Sequence, residues 1–251
     1  MSPDELGRLR EMLRELRDLH GSCGLKVSTE DRGNSWPFID FVQKNFGGLL
    51  PLSVKIGGPE AKNDIKAFRR TGAAGIIAPM VESPFGVNKF VSALEEFVGR
   101  DEMGSLSVSV NIESVYAYRR MDDILMAPGM EQIDQIVVGA TDLARSVSRP
   151  VHDPDVQRMV MEMTIKSRES GKRVRIGGVM KMVPDRGETL RELLQRAEPD
   201  QINTGNVCFS VGDIPDLNEA HARASRFERE IGRINDHFEG ELERPGQGSN
   251  S

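Results

Sequence analysis

Cysteine is nearly absent from this chain: Cys23 and Cys208 are the only 2 in 251 residues. They form no CxxC pair and no zinc-ligand spacing. That removes a disulfide framework and a structural zinc, and it points to a reducing compartment. Basic excess is missing as well. Lys and Arg number 33 against 39 Asp and Glu, a formal net charge of -6, so the basic face that non-specific nucleic-acid binding needs is not expected. No apolar run approaches the roughly 20 residues of a membrane span. The amino terminus is charged from Asp4 onward and lacks the apolar core of a signal peptide. What remains is an acidic globular protein, expected to be soluble and cytoplasmic, without nucleic-acid or membrane partners. No linker-like stretch divides the chain, so residues 1–243 are read as one domain, close to the roughly 250 residues of a (β/α)8 barrel. Arg244–Ser251 is rich in Pro, Gly, Asn and Ser and reads as a disordered tail.

Two short runs organise the rest. Val108-Ser109-Val110-Asn111-Ile112-Glu113-Ser114 and Ile136-Val137-Val138-Gly139-Ala140-Thr141-Asp142-Leu143 are β-branched and end abruptly in polar residues with a carboxylate. Runs of this kind suit strands buried on both faces of a parallel sheet. Between them, Val115 to Pro128 reads as an amphipathic helix with Tyr116, Met121, Ile124 and Leu125 on its apolar face. Glu113 and Asp142 then stand at the carboxyl ends of consecutive strands, where ligands bind in such sheets. Two carboxylates converging there suggest a hard divalent cation held by oxygen.

The alternation continues on both sides. Helices are expected at 3–20, 36–45, 59–70, 87–98, 155–170 and 188–197. Strands are expected at 25–29, 52–56, 75–80, 174–179 and 201–209. With the two central runs this makes seven strands in an α/β, mostly parallel order. A TIM barrel with an atypical or missing first strand fits, the eighth strand hiding in a stretch such as Phe46–Leu50. An open doubly wound sheet is the alternative. The last helix, 216–238, carries Leu217, Ala220, Ala224, Phe227, Ile231, Ile234 and Phe238 at strict 3-4 spacing. So narrow a seam seeks another helix, from a second subunit or from its own barrel.

Ala78-Pro79-Met80-Val81-Glu82-Ser83, Val110-Asn111-Ile112-Glu113-Ser114, Ala127-Pro128-Gly129-Met130-Glu131-Gln132-Ile133 and Val138-Gly139-Ala140-Thr141-Asp142-Leu143 occur in this order. In order and spacing they resemble the HpcH/HpaI aldolase family, which sits with citrate lyase β-subunits in the phosphoenolpyruvate/pyruvate barrel superfamily. The resemblance runs from about Leu25 to Phe209. It implies a class II aldolase or lyase that depends on a divalent metal, Mg2+ or Mn2+, and acts on a 2-oxo acid with an aldehyde or acyl partner. It also implies a homo-oligomer in which C-terminal helices exchange between neighbours. By matched position, Glu113 and Asp142 would hold the metal, and the backbone of Gly139, Ala140, Thr141 and Asp142 would hold the substrate carboxylate. Asn111 falls where the family has a Gln near the reacting carbonyl. Lys55 falls where it has an Arg that polarises the keto oxygen, and an ammonium lacks the bidentate fork of a guanidinium. Glu30-Asp31 falls where the aldolases have Glu-His, so a proton-transfer His is missing. Of His20, His152, His221 and His237, the sequence brings only His152 near.

The chemistry implied is formation of an enolate beside a cation acting as Lewis acid, with Lys55 adding positive charge at the same oxygen. Glu30, Asp31 or a metal-bound water are the candidate bases, and Arg32 is a candidate for the substrate's distal acid. Two other readings stay open. One is a metal-free Schiff-base enzyme using Lys26, Lys55 or Lys181. The other is a silent barrel acting as a scaffold or binding module.

Overall fold

The computed structural model describes residues 2–242, so the expected tail at 244–251 lies outside the described residues. Helix α1 (Pro3–His20) opens with a reciprocal cap. The Glu5 N–H donates to the Ser2 hydroxyl, and the Ser2 N–H donates to the Glu5 carboxylate. Gly21, at φ 74°, ends it in the left-handed conformation that glycine accepts without strain. The chain continues through β1 (Ser22–Ser28), α2 (Trp36–Phe46), β2 (Leu52–Lys55), α3 (Lys62–Thr71), β3 (Gly75–Ala78), α4 (Pro84–Phe97) and the short α5 (Arg100–Met103). Next come β4 (Ser107–Ile112), α6 (Val115–Arg119), α7 (Met121–Leu125), β5 (Gln135–Gly139), α8 (Ala140–Ser146), α9 (Pro154–Glu169) and β6 (Arg173–Gly177). α10 (Val183–Ala197), β7 (Gln201–Asn203), β8 (Val207–Ser210) and α11 (Leu217–Leu242) complete it.

The eight strands close in sequence order into a barrel. β1 to β7 run parallel, whereas β8 runs antiparallel to both β7 and β1. The open-sheet alternative is thereby excluded, and the missing strand is located. It is neither the first strand nor the stretch 46–50, where Phe46 ends α2. It is the second half of the single strand expected at 201–209. That segment folds back on itself at Thr204-Gly205-Asn206, pairing Asn203 with Cys208 and Gln201 with Ser210. A Gly-Asn step is a turn signal, here hidden inside an apolar run.

One expected helix and one expected strand end differ in detail. Val115–Pro128 is two short helices with a break at Arg120 (φ -111°, ψ 16°). Tyr116, expected inward, is 65% exposed. Asp142 lies in the first turn of α8 and not on the strand itself.

β8 returns the chain to the amino ends of the strands, so α11 starts there and climbs the outside of the barrel. Ala220, Ala224, Phe227 and Ile231 are buried on this path, which α1, α2 and α10 border. The Phe227 ring meets Phe46 edge-on at 6.1 Å, and Phe238 packs 5.9 Å from Phe38 and 5.5 Å from Phe41. Four of the seven seam residues are therefore covered within the chain, and Leu217, Ile234 and Phe238 stay partly buried against it. Among the described residues no helix is long and apolar enough to cross a membrane.

Candidate active site

The carboxyl ends of the strands open into a cavity of about 610 Å3. Its barrel wall includes Lys26, Asp31, Lys55, Asn111, Glu113 and Asp142, and α11 adds a second wall. That wall exists because α11 climbs past the strand ends. There Asn34 Nδ2 donates to Asn235 Oδ1 (3.1 Å) and the Ser35 N–H donates to Glu239 (3.2 Å).

The centre of the cavity is an ion-pair chain. Strand alternation turns Lys55 of β2 inward, where it is 3% exposed. Its Nζ lies 3.0 Å from each oxygen of Asp31 and 3.5 Å from Oε1 of Glu113. Glu113 is 2% exposed and is held on both oxygens. The Met80 N–H donates to Oε1 (3.0 Å) and Asn111 Nδ2 donates to Oε2 (2.9 Å). Met80 adopts φ 51°, rare for a residue with a side chain, and its amide reaches the carboxylate from there. Gly139 passes so close that a Cβ there would lie 2.5 Å from Glu113 Cβ. One step towards the amino ends, Arg175 Nε and Gln135 Nε2 both donate to Gln201 Oε1 at 3.0 Å.

Charge states follow from this packing. Burial alone would lower the Lys55 pKa, but Glu113 and Asp31 outweigh it and hold the ammonium above the ordinary lysine range. Burial alone would raise Asp31, but Lys55 and Lys26 pull its carboxyl below the usual range. Lys26 differs. Burial lowers its pKa, Lys55 and Arg175 add to that, and Asp31 and Cys208 only partly oppose it. A carboxyl with a lowered folded pKa contributes stability that is present above its unfolded value, about 3.9, and lost as pH falls through the folded one. Asp31→Asn should therefore flatten the acid limb of stability. It should also cost on the order of 1 kcal/mol at neutral pH, a small figure because Asp31 is 40% exposed and water screens the pair. Urea unfolding at pH 7 and at pH 3 measures both effects.

The residues singled out in the sequence divide as follows. Lys55, Asp31, Arg32, Asn111, Glu113, Gly139, Thr141 and Asp142 line the cavity. Ala140 is fully buried and is not part of the wall. Glu30 is not part of it either. The turn after β1 is tied by the N–H groups of Glu30 and Asp31, which both donate to Ser28 Oγ. This sends Asp31 inward and Glu30 towards Gly57, whose added Cβ would lie 3.0 Å from Glu30 Oε1. Asp142 faces the cavity but also pairs with Arg145 at 2.9 Å. Glu82 accepts from the Ser114 hydroxyl and is not exposed to the cavity. His152 does not line the cavity, whereas His221 of α11 does. Burial lowers the His221 pKa and Glu228 partly offsets this. Glu228, also missed in the sequence, braces the β7–β8 turn by accepting from the N–H groups of Asn206 and Val207.

A closed α/β barrel with charged side chains converging at its carboxyl mouth is the layout of a TIM-barrel enzyme. This chain belongs to the HpcH/HpaI aldolase/citrate lyase family, whose model matches residues 55–195. The family's chemistry makes it an enzyme of the carbon–carbon lyase class. Among solved structures, it is similar to citrate synthase SbnG, with TM-score 0.61 and 17% identity over 91% of this chain and 90% of that one. An HpcH/HpaI aldolase/citrate lyase family protein from Burkholderia cenocepacia J2315 gives TM-score 0.54 and 17% identity over 75% and 99%. An HpcH/HpaI aldolase from Desulfitobacterium hafniense DCB-2 gives 0.54 and 15% over 74% and 78%. At identities this low the likeness concerns fold alone. No curated protein matches the sequence.

Members of this family generally depend on a divalent cation. Among the described residues no three of His, Cys, Asp and Glu cluster as a full ligand set. The oxygen donors still fit a hard cation. Glu113 and Asp142 both face the cavity, and the buried Asn111 Oδ1 beside them has no hydrogen-bond partner. Mg2+ in particular takes one or two carboxylates and fills its remaining positions with substrate oxygens and water.

Proposed function

We propose that this enzyme makes or breaks a carbon–carbon bond next to the enolate of a pyruvate-type 2-oxo acid, with an aldehyde or acyl compound as the other partner. The observation that carries this reading is the Lys55 ammonium, kept positive between Asp31 and Glu113 beside a free amide oxygen of Asn111. An enolate oxygen needs fixed positive charge in a place shielded from water, where such charge acts strongly. Lys55 supplies that charge at the keto oxygen. Asp31 and Glu113 keep it protonated, and Asn111 orients Glu113. Gly139, Thr141 and Asp142, where α8 opens, line the cavity, which suits the backbone there to hold the substrate carboxylate. Arg32, at the outer edge, suits a second acidic group. A divalent cation, Mg2+ or Mn2+, would be held by Glu113 and Asp142 and would supply Lewis-acid stabilisation of the enolate charge.

A melting experiment with Mg2+ or Mn2+, with and without pyruvate, tests the reading on wild type and Glu113→Gln. Ligand at 100 times its Kd stabilises the folded state by about 2.7 kcal/mol. The expected result is a cation-dependent rise in Tm, increased further by pyruvate and lost in Glu113→Gln. A wild type that melts identically under all conditions would refute the proposal and favour a silent barrel.

A further inference from the structure

We propose that Lys26 is the acid–base residue of this site, taking and returning the proton that the enolate chemistry moves. This rests on the function proposed above, since the proton in question is the one on the carbon next to the keto group.

Enolate formation needs a proton acceptor inside the cavity, and most groups there are already committed. Asp31 holds the Lys55 ammonium with both oxygens. Glu113 carries a donor on each oxygen. Asp142 is paired with Arg145. Glu228 accepts from the β7–β8 turn. Arg32 and Arg145 stay protonated at any working pH. The remaining titratable groups of the wall are Lys26, Lys181, His221 and Asp236. Of these, among the described residues, Lys26 is the one that touches the Asp31–Lys55–Glu113 chain: its side chain is 16% exposed, and its Nζ lies 3.7 Å from Asp31 Oδ2, an ion-pair contact longer than a hydrogen bond.

Position and rigidity support the role. Lys26 pairs with Ser53, and two residues on Ser28 pairs with Lys55, so Lys26 projects from the same barrel face one step below Lys55. Its backbone is clamped to the β7–β8 turn. The Lys26 N–H donates to the Asn206 carbonyl (2.7 Å), and Asn206 Nδ2 donates to the Lys26 carbonyl (2.9 Å). The charged and titratable groups that face the amine are Asp31 from the turn after β1, Lys55 from β2, Arg175 from β6 and Cys208 from β8. Two of these are cations, and the one carboxylate is shared with Lys55. With burial, that set favours the neutral amine at lower pH than for an exposed lysine. A lysine whose neutral form is favoured in this way is suited to accept a proton.

The step balances. The C3–H bond of the 2-oxo acid breaks and its electron pair forms the C2=C3 bond of the enolate. The negative charge moves to the keto oxygen beside Lys55, and the proton goes to Lys26 Nζ. C3 then attacks the carbonyl carbon of an aldehyde, forming the new C–C bond. The resulting alkoxide takes the proton back from Lys26, restoring the neutral amine. Cleavage is the same sequence reversed.

The experiment follows exchange of the pyruvate methyl protons in D2O by NMR, with Mg2+ or Mn2+ present and no aldehyde. The variants are Lys26→Met, Lys26→Arg and His221→Ala, each also melted with and without pyruvate. General acid–base residues contribute roughly 10²–10⁴-fold. Loss of exchange of that size in both Lys26 variants is expected, with the pyruvate-induced Tm rise kept. Wild-type exchange should rise with pH and level off below the ordinary lysine pKa.

Unchanged exchange in Lys26→Met overturns the proposal, as does loss in His221→Ala alone. So does borohydride treatment with pyruvate that leaves a reduced adduct on Lys26, because the amine would then be an imine-forming nucleophile. A wild type that neither binds pyruvate nor exchanges it overturns the proposed function as well. Binding retained with exchange unaffected by Lys26 overturns this inference alone.

Discussion

Lys55→Met is expected to cost about 3–5 kcal/mol of folding stability, the usual penalty for removing one member of a buried ion pair. It should also lower turnover by about 10²–10³-fold, the loss typical when one preorganised donor to a developing oxyanion is removed. The size follows from what is left behind. Glu113 is 2% exposed and its remaining partners, the Met80 N–H and the Asn111 amide, are neutral. Asp31, at 40% exposure, can turn to water, but Glu113 cannot. The double variant Lys55→Met/Glu113→Gln removes the stranded charge. It should recover much of the stability and none of the activity. Chemical denaturation of the two single variants and the double variant gives the coupling between them. A double variant as unstable as Lys55→Met would mean that the penalty comes from lost packing and not from charge.

The second large effect is at Gly139. An added methyl would sit 2.5 Å from Glu113 Cβ and 2.6 Å from Glu113 Oε2. Neither atom can retreat, because the carboxylate is tied to Met80 and Asn111 and enclosed by the barrel. Gly139→Ala should therefore cost about 1–3 kcal/mol by overpacking. Displacing a catalytic group by about 1 Å can cost 10²-fold in rate, so activity should fall by about that much. Gly205→Ala is the matched control. The atom its methyl would meet first is Arg32 Nη2, the end of an exposed and flexible side chain. Its stability should stay near that of wild type. Equal damage at the two positions would show that the approach of β5 to Glu113 is not as tight as its contacts indicate.

Much of this architecture was legible because burial on both strand faces leaves a direct mark. Runs such as Ile136–Gly139 have no polar face, and the residues that end them, Glu113 and Asp142, line the mouth. The capping residues of α1 could be read directly for the same kind of reason, since a cap is a local contact. The closing hairpin could not be read so easily. β7 has 3 residues and β8 has 4, both buried, so no change of periodicity marks the reversal at Gly205. The two acids after β1 were equally opaque. Glu30 and Asp31 are adjacent, and only the curl of the turn onto Ser28 decides that one faces Lys55 and the other Gly57. His221 was missed for a topological reason. Nothing within α11 says that the helix runs upward past the mouth. That direction follows from β8 being antiparallel, which the chain reveals only at the level of the whole barrel. The helix seam was read correctly as a packing stripe, and the structure supplies its partners from α1, α2 and α10.

The reversed last strand has a practical corollary for handling the protein. In a barrel of eight repeated units the last helix descends, and the chain departs on the face opposite the mouth. Here α11 ascends, so its last turns stand beside the entrance, against Asn34 and Ser35. A fluorescent probe or surface linker attached to those turns would hang over that entrance. Immobilisation through them would turn the entrance towards the support, so attachment elsewhere on the molecule is the better choice for any binding assay.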